Sequence, residues 1–122
     1  MTDKEKLNKA RTEIEQTLAA ELEKKSVGKS ESEIIEIITN AAVIPASRLS
    51  SENLPIEKKF FHVIATLFFM DKMVERTKNS TNLNDMFRLL TAIVFCRKVL
   101  IKFNKDHADE TIGTPTATQP AE

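Results

Sequence analysis

The chain contains no tryptophan or tyrosine, and has two glycines, four prolines, two histidines and one cysteine among 122 residues. A lone cysteine, Cys96, excludes an internal disulfide and a cysteine-rich metal site. It fits a reducing compartment, so we expect an intracellular protein, cytoplasmic or nuclear. The two glycines are isolated, which argues against a glycine-rich phosphate-binding loop. Because alternation typical of strands is also missing, the composition predicts an all-α fold.

Catalytic and metal-binding patterns are also missing. Neither a His-x-x-x-His nor a Cys-x-x-Cys spacing occurs, so a transition-metal site has no ligand set. As a general base, His62 would need a nucleophile and an orienting group nearby, and only Thr66, one helical turn later, offers a hydroxyl. We interpret His62 as a surface histidine and Cys96 as a packing residue. The sequence therefore predicts a non-enzymatic protein without metal or cofactor.

The longest apolar run, FFHVIATLFFM, covers residues 60–70. A membrane-spanning helix needs about 20 apolar residues, and charged residues close this run on both sides. We therefore interpret it as part of a folded core, and we expect no membrane partner. The charged N-terminal stretch MTDKEKLNKARTEIEQ is not followed by an apolar segment, which argues against a secretory signal or a mitochondrial transit peptide.

Hydrophobic periodicity predicts four helices, at about residues 3–25, 31–42, 55–78 and 83–104. The first has only a narrow apolar stripe and is expected on the outside of the assembly. Ser30 and Glu33 have the spacing of a capping box at the start of the second helix, and Pro45 is expected to end it.

The short linker at residues 79–82 predicts that the third and fourth helices form an antiparallel hairpin. Since these two helices are apolar nearly all round, we predict a four-helix assembly around a central apolar hairpin, within a single domain of residues 1–105. Residues 106–122 contain few large apolar groups and are predicted to be a disordered acidic tail.

Helical wheels give the third and fourth helices one polar line each, and we predict that both lines face water. The lines consist of Lys59, His62, Thr66, Phe69, Met73 and Thr77 in the third helix, and of Asn84, Arg88, Thr91, Phe95, Lys98 and Lys102 in the fourth. Phe69, Met73 and Phe95 would then be exposed apolar groups, which mark a partner surface. The alternative is that the first or second helix covers them.

Asp71 and Arg97 point in the apolar directions of their helices, so both are candidates for buried charges. Buried charges are costly unless they are paired. In an antiparallel hairpin the two residues are offset by roughly 10 Å of helix rise, so each needs another partner, in this chain or in a second one. The alternative is that both side chains extend into water.

Charge is unevenly distributed, since residues 54–105 hold ten lysines and arginines against four acidic residues. We predict an interaction module, an adaptor or assembly subunit, that docks a partner helix or its own copy on the hairpin. Phe69, Met73 and Phe95 would form the apolar contact, with Arg88, Lys98 and Lys102 as a basic rim. The alternative is a nucleic-acid-binding protein that uses the basic hairpin, whose affinity would fall steeply with salt.

Overall fold

A computed structural model describes residues 2–107 of the chain. Within that range the chain forms four α-helices and no strand. They are α1 (Asp3–Ser26), α2 (Glu31–Ser51), α3 (Ile56–Asn79) and α4 (Leu83–Asp106). The predicted all-α, four-helix class is confirmed. α4 extends to Asp106, one residue into the predicted tail, and residues 108–122 of that tail lie outside the described residues.

Two capping boxes fix the starts of α1 and α2. The Ser30 hydroxyl accepts a hydrogen bond from the Glu33 backbone N–H, and the Glu33 carboxylate accepts one from the Ser30 N–H. Thr2 and Glu5 make the same two bonds at the start of α1. In each box the hydrogen bonds to the ionised carboxylate lower the pKa of the glutamate. The predicted box at Ser30 and Glu33 is confirmed.

Helix α2 continues to Ser51, nine residues beyond its predicted end, and Pro45 lies inside it. Proline has no backbone N–H, so one intrahelical hydrogen bond to the Ala41 carbonyl cannot form. The Pro45 ring is buried and Ala46 is completely inaccessible to solvent. The apolar face of α2 thus continues through Pro45, and its burial offsets the lost bond. The prediction that Pro45 ends the helix is wrong.

The helices alternate in direction along the chain. Ion pairing between Glu31 and Arg76 (2.6 Å) places the start of α2 beside the end of α3. Lys59 Nζ lies 2.9 Å from His107 Nε2, which places the start of α3 beside the end of α4. α3 and α4 therefore form the predicted antiparallel hairpin.

The core lies where α2 meets α3 and α4. Its buried members are Ile35, Ile38, Ala42, Ala46, Phe69, Met73, Leu89, Ala92, Cys96 and Val99. α1 packs on α2 and α3, makes no contact with α4 and contains no buried residue, which agrees with its predicted outer position. The hairpin therefore buries the side that faces α2.

Candidate protein-interaction surface

The polar line of α3 faces the core instead of water. His62, Thr66, Phe69 and Met73 are all buried. His62 Nδ1 donates to the Lys58 carbonyl at 2.7 Å, and the Thr66 hydroxyl donates to the His62 carbonyl at 2.7 Å. Since His62 Nδ1 and the Thr66 hydroxyl are each hydrogen-bonded one turn back along their own helix, these groups enter the core at little cost. Thr66 is therefore not positioned as a nucleophile for His62.

The predicted exposure of Phe69 and Met73 is wrong, because both pack in the core. Asp71 and Arg97, the candidates for buried charges, are both exposed, so the alternative that their side chains extend into water holds. Both outcomes have one cause. The helical wheel assigns the polar line to the outward face of α3, whereas the outward faces of α3 and α4 are largely apolar.

The outward face of α4 carries a row of large apolar side chains. These are Leu83, Phe87, Leu90, Val94 and Ile101, all exposed. Their spacing of four, three, four and seven residues matches the a and d positions of a coiled-coil heptad. Arg97 occupies the position skipped in the seven-residue step. Leu83 is 82% exposed and Phe87 is 72% exposed, so most of the surface of these two residues contacts solvent.

A second row with the same spacing runs along α3. It consists of Ile56, Phe60, Val63, Leu67, Met70 and Val74, of which Ile56, Leu67 and Val74 are exposed and the others half-buried. We call the two rows together the outer seam. From Leu83 to Ile101 the seam is about 27 Å long, at 1.5 Å of rise per residue.

Each row occupies a different side of its helix from the fully buried core residues. One side of α4 lines the grooves against α2 and contains Phe95. The next side around the helix axis contains the core residue Leu89, and the side after that contains Leu90 of the seam. Around α3, the side near α1, represented by Lys72, is followed by the core residue Met73 and then by the seam. Each row therefore lies on a side of its helix that the core does not cover, and Phe87 of the α4 row also lines the groove between α2 and α4.

The side of α4 next to α2 holds the other predicted site residues. Arg88, Phe95, Lys98 and Lys102 are all exposed, as predicted, with Phe95 at 37%. Arg88 and Phe95 line an open groove of about 580 Å³. Phe95, Lys98 and Lys102 line a second one of about 310 Å³. Lys102 Nζ is ion-paired with Asp106 at 2.8 Å. The structure thus brings these four residues together and separates them from Phe69 and Met73.

Chemically reactive groups are few in the described residues. Within residues 2–107 no three His, Cys, Asp or Glu side chains are grouped so that they could hold a metal ion. Cys96 is completely buried, and this burial raises the pKa of its thiol to about 11. The thiol is therefore protonated at neutral pH and acts as a packing group.

Sequence reasoning missed one buried charge, Asp85. Its Oδ2 accepts a hydrogen bond from the Ser32 hydroxyl at 2.6 Å, and its backbone N–H donates to the Asn82 side chain. Asp85 therefore joins the starts of α2 and α4. Its place in the first turn of α4 predicts only a helix-terminus role, and no local signal indicates the bond to Ser32, 53 residues away.

None of the four helices within residues 2–107 combines the length and apolar character needed to cross a membrane. The seam is an apolar surface on a helix hairpin, and the opposite side of that hairpin is packed in the core.

Comparison with models of known protein families, with curated proteins and with solved structures finds no match for this chain.

Proposed function

We propose that this protein is a non-enzymatic protein–protein interaction module, an adaptor or assembly subunit, that docks its partner on the outer seam. The observation that carries the proposal is the exposed row on α4, from Leu83 to Ile101, at heptad spacing. Scattered apolar residues are normal on protein surfaces, but a contiguous apolar face is typical of an interface. Within residues 2–107 no helix covers this row, since its five side chains are all exposed.

The proposed mechanism is burial of apolar surface between helices. Side chains at a and d spacing insert between those of a facing helix. Complete burial of one large apolar side chain stabilises a complex by about 1.5–3 kcal/mol before the costs of association are subtracted. Leu83 and Phe87 are the most exposed residues of the outer seam. We expect them to contribute most to binding.

A protein partner is favoured over a nucleic acid by the chemistry of the seam. Phosphates are bound by lysine and arginine, whereas the seam is apolar with Arg97 as its one basic residue between Leu83 and Ile101. Of the proposed basic rim, Lys102 is already paired with Asp106. An intracellular location, cytoplasmic or nuclear, is part of the proposal and is supported by the lone, buried cysteine.

Site-specific photocrosslinking tests the proposal in the cell. A benzophenone amino acid replaces Phe87 in one variant and the exposed Thr17 of α1 in a control variant. We expect a crosslinked protein species from position 87 and none from position 17. The absence of any crosslink from position 87, or a nuclease-sensitive adduct there, would overturn the proposal, and the second result would favour the nucleic-acid alternative.

A further inference from the structure

A continuous trough runs between α2 and α4. The Ser32 hydroxyl donates to the Asp85 carboxylate, which joins the starts of the two helices, and since the helices alternate in direction along the chain, α2 and α4 run the same way. The two open grooves between them, of about 580 and 310 Å³, both include Phe95 and follow one another along α4. From Phe87 to Phe103 the trough is about 24 Å long, the length of a bound helix of roughly four turns.

The floor of the trough is apolar. Two threonines in its lining use their hydroxyls within their own helices, since Thr39 donates to the Glu36 carbonyl at 3.0 Å and Thr91 donates to the Phe87 carbonyl at 2.8 Å. Both hydroxyl donors are therefore satisfied without a ligand. The apolar lining residues are Val43, Leu49, Phe87, Ala92, Phe95, Val99 and Phe103. Such a floor is covered favourably by the apolar stripe of a facing helix.

The α4 side of the trough carries two cations without a partner. Arg88 lines the first groove and Lys98 the second, and both are exposed. Within residues 2–107 neither makes an ion pair or a side-chain hydrogen bond, whereas Lys102 is paired with Asp106. Lys98 is ten residues beyond Arg88, or about 15 Å along α4. On the α2 side the lining contains one charged residue, Glu36. An occupant is therefore favoured if it is acidic on the flank next to α4 and not on the flank next to α2.

From the apolar floor and these charges we infer that the trough between α2 and α4 binds an amphipathic helix of a protein partner, with carboxylates along the flank that faces α4. Two carboxylates about eleven residues, or three turns, apart on the bound helix match the spacing of Arg88 and Lys98. The inference goes beyond the proposed function, because it assigns a second docking surface. Phe87 borders both this trough and the outer seam.

Other occupants fit the trough less well. Phosphates gain nothing from an apolar floor, and Glu36 repels them, so a nucleic acid is disfavoured. Residues 108–122 of the chain are acidic but contain one large apolar side chain, Ile112. A single such side chain is too little to cover the floor from Phe87 to Phe103.

Fluorescence anisotropy with a labelled synthetic peptide tests the inference. The probe has about 18 residues, enough to span the trough as a helix, with leucines at the a and d positions and glutamates along one flank. A matched peptide has lysines in place of the glutamates. We expect the glutamate peptide to bind the full chain, and the lysine peptide to bind about ten-fold more weakly or less.

Two neighbouring charge reversals locate the bound peptide. Lys98→Glu should raise the dissociation constant of the glutamate peptide by about ten-fold or more, because it places like charges together, and should improve binding of the lysine peptide. Arg97→Glu is the matched control, since Arg97 is an exposed cation on the outer seam. At physiological salt its effect is screened and should stay below about three-fold. The helix content of both variants by circular dichroism should match that of the wild type.

The inference is overturned if the glutamate peptide does not bind, if the two peptides bind equally well, or if Lys98→Glu and Arg97→Glu have equal effects. The last result would place the peptide on the outer seam. The proposed function is tested separately by the crosslink from position 87. A crosslinked protein that persists in the Lys98→Glu chain, together with no binding of the peptide, would keep the proposed function and refute the docking site in the trough.

Discussion

Leu89 and Leu90 are neighbours in α4 with opposite surroundings, and their replacement by alanine tests which side of the helix faces the core. Leu89 is fully buried, whereas Leu90 is 48% exposed on the outer seam. The two changes remove the same atoms from adjacent positions of one helix, so differences in helix propensity cancel. Any difference in the free energy of unfolding therefore reports the surroundings of the two side chains.

The expected magnitudes follow from burial. Leu→Ala removes apolar groups with a transfer free energy of about 2.4 kcal/mol, at about 0.8 kcal/mol per methylene. At Leu89 the cavity left in the core adds to this, so we expect a loss of about 2–5 kcal/mol. At Leu90 about half of the side chain already contacts water and no closed cavity results. The loss there should be about 1 kcal/mol in the single chain.

Urea unfolding followed by far-ultraviolet circular dichroism is the suitable assay, because the chain has no tryptophan or tyrosine for fluorescence. Leu89→Ala should be the more costly change. Equal losses for the two variants would refute the assignment of the core and outer faces of α4.

Three further outcomes are expected from the rest of the structure. Ser32→Ala should lower the free energy of unfolding by about 1–3 kcal/mol in urea titrations, because the buried Asp85 carboxylate loses its hydroxyl donor; an unchanged value would mean that water replaces the hydroxyl. Burial raises the pKa of the Cys96 thiol to about 11, so a thiol reagent at pH 8 should modify the folded chain far more slowly than the urea-unfolded chain. Stability should also fall as pH rises from about 9 towards 11, where only the unfolded thiol ionises. The capping box lowers the pKa of Glu33 below 4.5. The contribution of Glu33 to the free energy of unfolding is therefore present above that pH and is lost on acidification. Glu33→Gln should flatten the acid limb of the plot of stability against pH, and an unaltered limb would contradict this role.

The helices themselves were predictable because their signals are local. The capping pair Ser30 and Glu33, the linker at residues 79–82 and the apolar periodicity of each segment act within a few residues, and they fixed the fold class and most boundaries. The end of α2 was the exception. A proline raises the local cost of a helix, but whether the helix stops depends on the burial of Pro45 and Ala46 against other helices, which local sequence does not report.

The orientation of the helices was less predictable. A helical wheel locates a polar line, and the usual rule turns that line to water. In α3 the rule failed because His62 and Thr66 direct their polar atoms to carbonyls of their own helix. These residues present mainly apolar atoms to α2. Phe69 and Met73 on the same line were the contrary indication, since two large apolar groups fit a buried line better than a hydrated one.

The inverted orientation and the proposed docking surface have the same physical origin. A helix packed on one side only can hide its apolar residues in a single stripe, but α3 and α4 have more apolar surface than the contact with α2 can cover. Leu83 and Phe87 remain exposed although Leu89, on the same helix, is fully buried. A hairpin that is apolar on two sides needs a packing partner on each side, and within the bundle α2 supplies the partner on one of them.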